Sequence, residues 1–161
     1  MILSRLIGAF ALVILGGCAS VPPQPAPAFY VVRHLHTPEG STDPDLTEEG
    51  QRHARLLADR FDKGGIAVIY VNSTKRTQQT AAPLAAKLGL TPKMYDPKDT
   101  AGLVAMMKAE AGPVLVVGHS NTVPDIVAGL GGERPAPLSH PDFGDIWKVE
   151  RDGTTARDRI R

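Results

Sequence analysis

Three apolar runs in this chain have strand composition, and each ends on residues suited to holding phosphate. Phe29-Tyr30-Val31-Val32 ends in Arg33-His34, Ile66-Ala67-Val68-Ile69-Tyr70-Val71 ends in Asn72-Ser73-Thr74-Lys75-Arg76, and Val114-Leu115-Val116-Val117 ends in Gly118-His119-Ser120. In an open α/β sheet, ligands bind beyond the carboxyl ends of parallel strands. If these three strands lie side by side and parallel, two histidines and two arginines meet in one crevice. Such a crevice could bind and attack a phosphoryl group.

Helical signals separate the runs. Over 47–62, Ala54, Leu57, Ala58 and Phe61 share one helical face. Asp45 or Thr47 can cap that helix, Glu48 and Glu49 suit its positive first turn, and Gly64-Gly65 stops it. A second helix is read over Gln78 to Leu88, ending at Gly89, with a kink or late start at Pro83. A loop over 90–97 leads to a third helix at about 99–110. A fourth spans about 121–129, with Pro124 in its first turn. Gly131 to Pro141 reads as a loop. Residues 145–150 and 154–160 flank Asp152-Gly153, a favoured hairpin turn. Alternating strands and helices predict an α/β fold of three layers: a mostly parallel sheet flanked by helices, with a C-terminal antiparallel hairpin at an edge. Residues 28–161 make one domain of ordinary size.

The first residues read differently. Arg5 is the only charge before the apolar stretch Leu6 to Leu15, which is too short for a membrane span of about 20 residues. A positive start, an apolar stretch and small residues before a cut site are the marks of an export signal. Leu15-Gly16-Gly17-Cys18 resembles the lipobox of bacterial lipoproteins. Residues 1–17 are therefore expected to be a lipoprotein signal peptide. Residues 18–27 would be a lipidated Cys18 and a spacer stiffened by Pro22, Pro23, Pro25 and Pro27. Cys18 is the only cysteine, so no intrachain disulfide can form. The expectation is an exported protein lipid-anchored at the bacterial cell envelope. Ala19 after the cysteine favours the periplasmic face of the outer membrane by resemblance. Removing residues 1–17 takes away Arg5 and no acid, leaving 17 basic against 17 acidic side chains. No global charge draws nucleic acid, so anion binding has to come from a local cluster.

Phosphoryl transfer through histidine needs a neutral imidazole nitrogen facing phosphorus and cationic donors on the equatorial oxygens. It also needs a proton donor where the leaving group is poor. Arg33 and Arg76 offer planar forks of donors. His34 supplies the nucleophile, and His119 a donor expected to work best as a cation over a phosphate dianion. Ser120 and Asn121 either bind phosphate at the start of a helix or simply cap it. Ser73 and Thr74 carry the same two readings, and Lys75 is expected to face solvent. The chemistry requires neither metal nor cofactor.

The segments VVRHLHT, LTEEGQRHARLLADRF, STKRTQQTAAPLAAKLGL and GPVLVVGHSNT together resemble the histidine phosphatase superfamily. This is the phosphoglycerate-mutase-like fold, and the likeness covers most of 28–150, especially to small bacterial members such as the phosphohistidine phosphatases. The resemblance implies that Arg33, Arg76 and His119 bind phosphate and that His34 is phosphorylated. It also implies an acid a few tens of residues past the second arginine. Asp96 is the positional match, although Asp96-Pro97 reads equally well as a helix entry. Asp125 sits too far into the fourth helix. Leu35 stands where the family often has glycine, and is expected to narrow the pocket or redirect the loop. His36 stands where glutamate is common, and either touches substrate or faces solvent and loop. The favoured reading is a metal-independent phosphatase acting on a phosphorylated substrate through a phosphohistidine on His34. Mutase activity is disfavoured because the short stretch from Arg76 to His119 leaves little room for a covering insertion. The alternative is a non-catalytic phosphate-binding lipoprotein of the same fold. A metal hydrolase using His34, His36 and His119 is a third reading, against which no acidic partner lies close in sequence.

Overall fold

The computed structural model describes residues 27–161. The expected signal peptide, Cys18 and nearly all of the proline-rich spacer lie outside them. Ten elements follow in chain order: β1 (Phe29–Arg33), α1 (Glu48–Asp59), β2 (Val68–Val71), α2 (Lys75–Leu88), β3 (Lys93–Met94), α3 (Thr100–Ala109), β4 (Val114–Gly118), α4 (Val123–Gly129), β5 (Asp145–Val149) and β6 (Thr155–Arg159). The sheet order is β3-β2-β4-β1-β5-β6. The first four of these are mutually parallel, while β5 runs antiparallel to β1 and β6 antiparallel to β5. The three-layer α/β expectation and its C-terminal hairpin match this architecture.

Side-chain alternation divides the core between the two faces of the sheet. Val32, Ile69, Val71, Leu115 and Val117 point to the face covered by Leu57 of α1 and Leu84 of α2. Phe29, Val31, Tyr70, Val114 and Val116 point to the face covered by Leu103 and Met107 of α3 and by Ile126 of α4. Leu35 belongs to the first face: it is fully buried there, and its N–H donates to Thr80 Oγ1 at 3.0 Å. The expected narrowing of the pocket by Leu35 is thus corrected, since the side chain turns into the core.

Local chemistry explains the element ends. Thr47 caps α1, its hydroxyl oxygen accepting from Gly50 N–H at 3.1 Å. Asp99 does the same for α3 through Gly102 N–H at 2.8 Å. Helix α2 starts at Lys75, before the expected Gln78, and carries Pro83 within it. The early start comes from Asn72, whose side-chain oxygen accepts from Thr74 N–H at 3.0 Å and turns the chain into the helix. Strand β3 was not foreseen: its two residues are exposed and lie within the expected 90–97 loop.

Gly50 marks the tightest approach in the α1 region. A Cβ there would sit 2.4 Å from His36 O, the same carbonyl that accepts Thr47 N–H at 2.9 Å. Gly50→Ala is therefore expected to destabilise the fold by about 1–3 kcal/mol, through overpacking against backbone that cannot rotate away. Denaturant titration checks this, and unchanged stability would show that the 35–47 segment yields freely.

Candidate active site

The register of β1 on β4 pairs Arg33 with Gly118, and His34 N–H continues the ladder onto Gly118 O at 2.9 Å. His34 and His119 therefore leave adjoining strand ends together. Their ring centroids lie 5.3 Å apart, with the planes at 61°. Gly118 permits the turn that follows: a Cβ there would meet Thr122 Oγ1 at 2.9 Å, and that oxygen accepts from His119 N–H.

His34 is 6% exposed. Its Nδ1 lies 2.9 Å from Leu35 O. A carbonyl only accepts, so in this contact Nδ1 carries the proton and Nε2 keeps its lone pair. Burial pushes the ring down to about 3, opposed by the Leu35 hydrogen bond and assisted by the positive fields of His119, Arg33 and Arg76. The ring is thus neutral at ordinary pH, with its free lone pair on Nε2.

Arg33 is buried and stacked 4.2 Å over Phe143. Its Nη1 donates to Ser139 O at 2.6 Å and to Asp142 O at 3.1 Å, which ties the cation to the 139–142 loop. Its Nε is buried without a partner among the described residues. Arg76, in the first turn of α2, donates to Thr42 O and to Asp43 Oδ1, each at 3.3 Å. It is close enough that its charge lowers both imidazoles.

His119 is held from behind. Asn72 is fully buried, and its Oδ1 accepts from Thr74 N–H, from Thr74 Oγ1 at 2.8 Å and from Thr77 Oγ1 at 3.1 Å. A backbone N–H can only donate, so the amide cannot be flipped. Its NH2 therefore points at His119 Nε2, 2.7 Å away, and at the Tyr95 hydroxyl, 3.3 Å away, which in turn donates to Val117 O at 3.0 Å. His119 Nε2 must accept, so the neutral ring carries its proton on Nδ1. An imidazolium would aim a second N–H at the Asn72 NH2. Burial, then Arg76 and Arg33, push this ring down to about 4, with Asp43 opposing. The neutral His119 ring thus has an N–H to offer at Nδ1.

Among the described residues the remaining expected side chains make no hydrogen bond to either imidazole or to the guanidinium groups of Arg33 and Arg76. Asp96 is exposed, and its Oδ1 accepts from Lys98 N–H at 2.9 Å in the turn before α3. Among the described residues it contacts neither imidazole and neither arginine, so the acid expected there serves turn chemistry. Ser120 is half-buried and Asn121 exposed, both in the turn ahead of α4, whose cap position belongs to Thr122. Exposed Ser73 likewise makes no cap, and Lys75 faces solvent beside Asp45. Asp43, in the loop after β1, accepts from Arg76 and lies close enough to act on His119. Sequence reading missed Asn72 and Tyr95. A polar residue ending a buried apolar strand, with Thr two and five residues on, was the available signal for Asn72. Tyr95 gave none.

Two guanidinium groups flanking two neutral imidazoles make a receptor for an oxyanion. The sequence model of the histidine phosphatase superfamily (branch 1) matches residues 29–98. The probable phosphoglycerate mutase GpmB of Yersinia pestis (strain Pestoides F) is 41% identical over 76 residues, 43% of this chain and 35% of that protein. The matching stretch thus spans about a third of these curated relatives. Among solved structures, the protein histidine phosphatase SixA in complex with tungstate is 20% identical, with 81% of this chain and 94% of that one covered at a TM-score of 0.58. A mycobacterial glucosyl-3-phosphoglycerate phosphatase with inorganic phosphate is 16% identical, covering 83% and 96% at 0.62. These likenesses establish that the chain shares the fold of those two structures. The family match ends before β4, so the place of His119 in the site rests on geometry.

Proposed function

We propose that this chain is a phosphohydrolase that transfers the phosphoryl group of its substrate to Nε2 of His34 and then to water. The supporting observation is the Nδ1–Leu35 O contact, which leaves Nε2 as a neutral lone pair beside two arginines. Attack by Nε2 forms the P–N bond as the P–O or P–N bond to the leaving group breaks, its electron pair departing with that group. Arg33, Arg76 and the His119 Nδ1–H stabilise charge growing on the phosphoryl oxygens. Water then attacks phosphorus, its proton passes to solvent, and His34 departs as a neutral imidazole because Nδ1 already holds a proton. The donor set is cationic, which suits an anion and disfavours a metal in this pocket.

Among the described residues no carboxylate hydrogen-bonds to His34 or His119, and this bears on substrate class. A phosphohistidine protonated on its other ring nitrogen leaves as neutral imidazole without help. An alkyl phosphate leaves as an alkoxide unless protonated. Turnover of a phosphohistidine peptide is expected to exceed that of phosphoserine or 3-phosphoglycerate by about a hundredfold or more, the usual worth of a general acid. Equal turnover would refute the acid-free reading. The mutase alternative predicts phosphate exchange within 3-phosphoglycerate in the same assay.

The attacking ring of His34 is depressed, and its active form is unprotonated. Activity is therefore expected to persist from neutral pH into the acid range and to fall only as pH drops toward the His34 value near 3. A kcat/KM profile corrected for the substrate's own ionisation checks this; a limb near 6.5 would contradict it.

Export and lipid anchoring through Cys18 are proposed on the residues 15–18 alone. Among the described residues no helix is long and apolar enough to cross a membrane.

A further inference from the structure

On the far side of Phe143 from the phosphate pocket, three side chains from distant parts of the sequence converge. The Phe143 ring lies 5.7 Å from the His34 ring and 4.7 Å from the His36 ring. His36 meets His53 edge to face at 4.7 Å, and its Nε2 lies 3.7 Å from Glu49 Oε1. Glu49 and His53 are four residues apart on α1 and so share one face. One donor atom from each of the three lies within 4.8 Å of the others.

We infer that His36, Glu49 and His53 form a binding site for a divalent transition-metal ion of the zinc class, separate from the phosphate pocket. Two imidazoles and one carboxylate are a zinc donor set, with solvent free to complete the shell. His36 Nδ1 and His53 Nδ1 are both buried without a hydrogen-bond partner among the described residues. Unsatisfied buried nitrogens are costly, and a shared cation would relieve that cost. Bonds of about 2.0–2.2 Å to a tetrahedral ion require donors closer together than they stand, and exposed Glu49 has the freedom to close that gap. The backbone is already arranged for it. Thr47 N–H and Thr47 Oγ1 hold His36 O at 2.9 and 3.3 Å, and Gly50 lets α1 press against it. The ion takes no part in the proposed phosphoryl transfer. It would clasp the 35–47 segment to α1, next to the ring that stacks on Arg33.

The test is titration of the full chain in detergent with Zn2+ by calorimetry, and with Co2+ by its visible absorption, in a phosphate-free buffer. A Cys18→Ser background removes the one thiol. One saturable site is expected, weakened by more than about tenfold in His53→Ala and also in Glu49→Gln, an exposed and conservative change. His119→Ala is expected to bind as the parent does. No saturable binding would overturn the proposal. So would binding indifferent to His53→Ala and Glu49→Gln, or binding lost in His119→Ala and kept in the other two, which would place the ion in the phosphate pocket.

Discussion

His34→Ala is expected to lower kcat/KM on a phosphohistidine peptide by more than about a thousandfold, because it deletes the atom that forms the covalent bond. The fold is expected to survive. The backbone ladder through His34 N–H to Gly118 O is unaffected by the side chain, and the flanking Leu35 stays anchored in the core. Circular dichroism and a denaturant midpoint near that of the parent establish that survival. Phosphate affinity is expected to fall far less than turnover, since Arg33, Arg76 and His119 remain. A variant that keeps wild-type turnover would remove His34 from the chemistry and favour the non-catalytic phosphate binder.

The second large effect falls on a residue that touches no substrate. In Asn72→Asp the NH2 that donates to His119 Nε2 becomes an acceptor. The neutral His119 ring then places its proton on Nε2, toward the introduced carboxylate, and Nδ1 turns bare toward the phosphate. A nearby carboxylate also favours the imidazolium, which raises His119 above the value near 4 that it has in the parent. As an imidazolium the ring has a proton on Nδ1 again. The variant is therefore expected to work at low pH and to lose activity as pH rises through the new His119 value, whereas the parent stays flat over the same range. At neutral pH the loss is expected to reach about 10²–10³-fold, in the range found when a catalytic imidazole is held in the wrong tautomer or an oxyanion donor is removed. Asn72→Leu separates this from simple damage: it removes the contact without offering an acceptor, so activity falls without the inverted pH dependence. A pH profile of Asn72→Asp parallel to the parent's would show that Asn72 holds the fold and not the tautomer.

How much of this was readable in advance depended on how far each signal reached along the chain. Strand runs, helix periodicity and the Asp152-Gly153 turn are local, and they gave the layers and the hairpin. The meeting of His34 with His119 was accessible because two strand ends in a parallel sheet face one way, whatever lies between them. The tautomer of His119 was not, because it depends on a buried amide oriented by Thr74 and Thr77 and backed by Tyr95, three contacts that exist only once α2 and the 95–99 turn have packed. Asp96 attracted attention by its distance from Arg76 along the chain, whereas Asp43 reached Arg76 through space from the loop after β1. Leu35 looked like a pocket residue because it follows His34. Leu35 lies beyond the end of β1 at Arg33 and out of step with that strand's alternation: it packs on the Val32 face, where its N–H is held by Thr80 Oγ1.

The most direct measurement is rapid acid-free quench of the full chain with a radiolabelled phosphohistidine or phosphoramidate donor, followed by mapping of the labelled residue. The expected result is one acid-labile, base-stable phosphoryl group on Nε2 of His34, formed and discharged at rates that account for turnover. Turnover with no such adduct, or an adduct on Nδ1 or on His119, would contradict it.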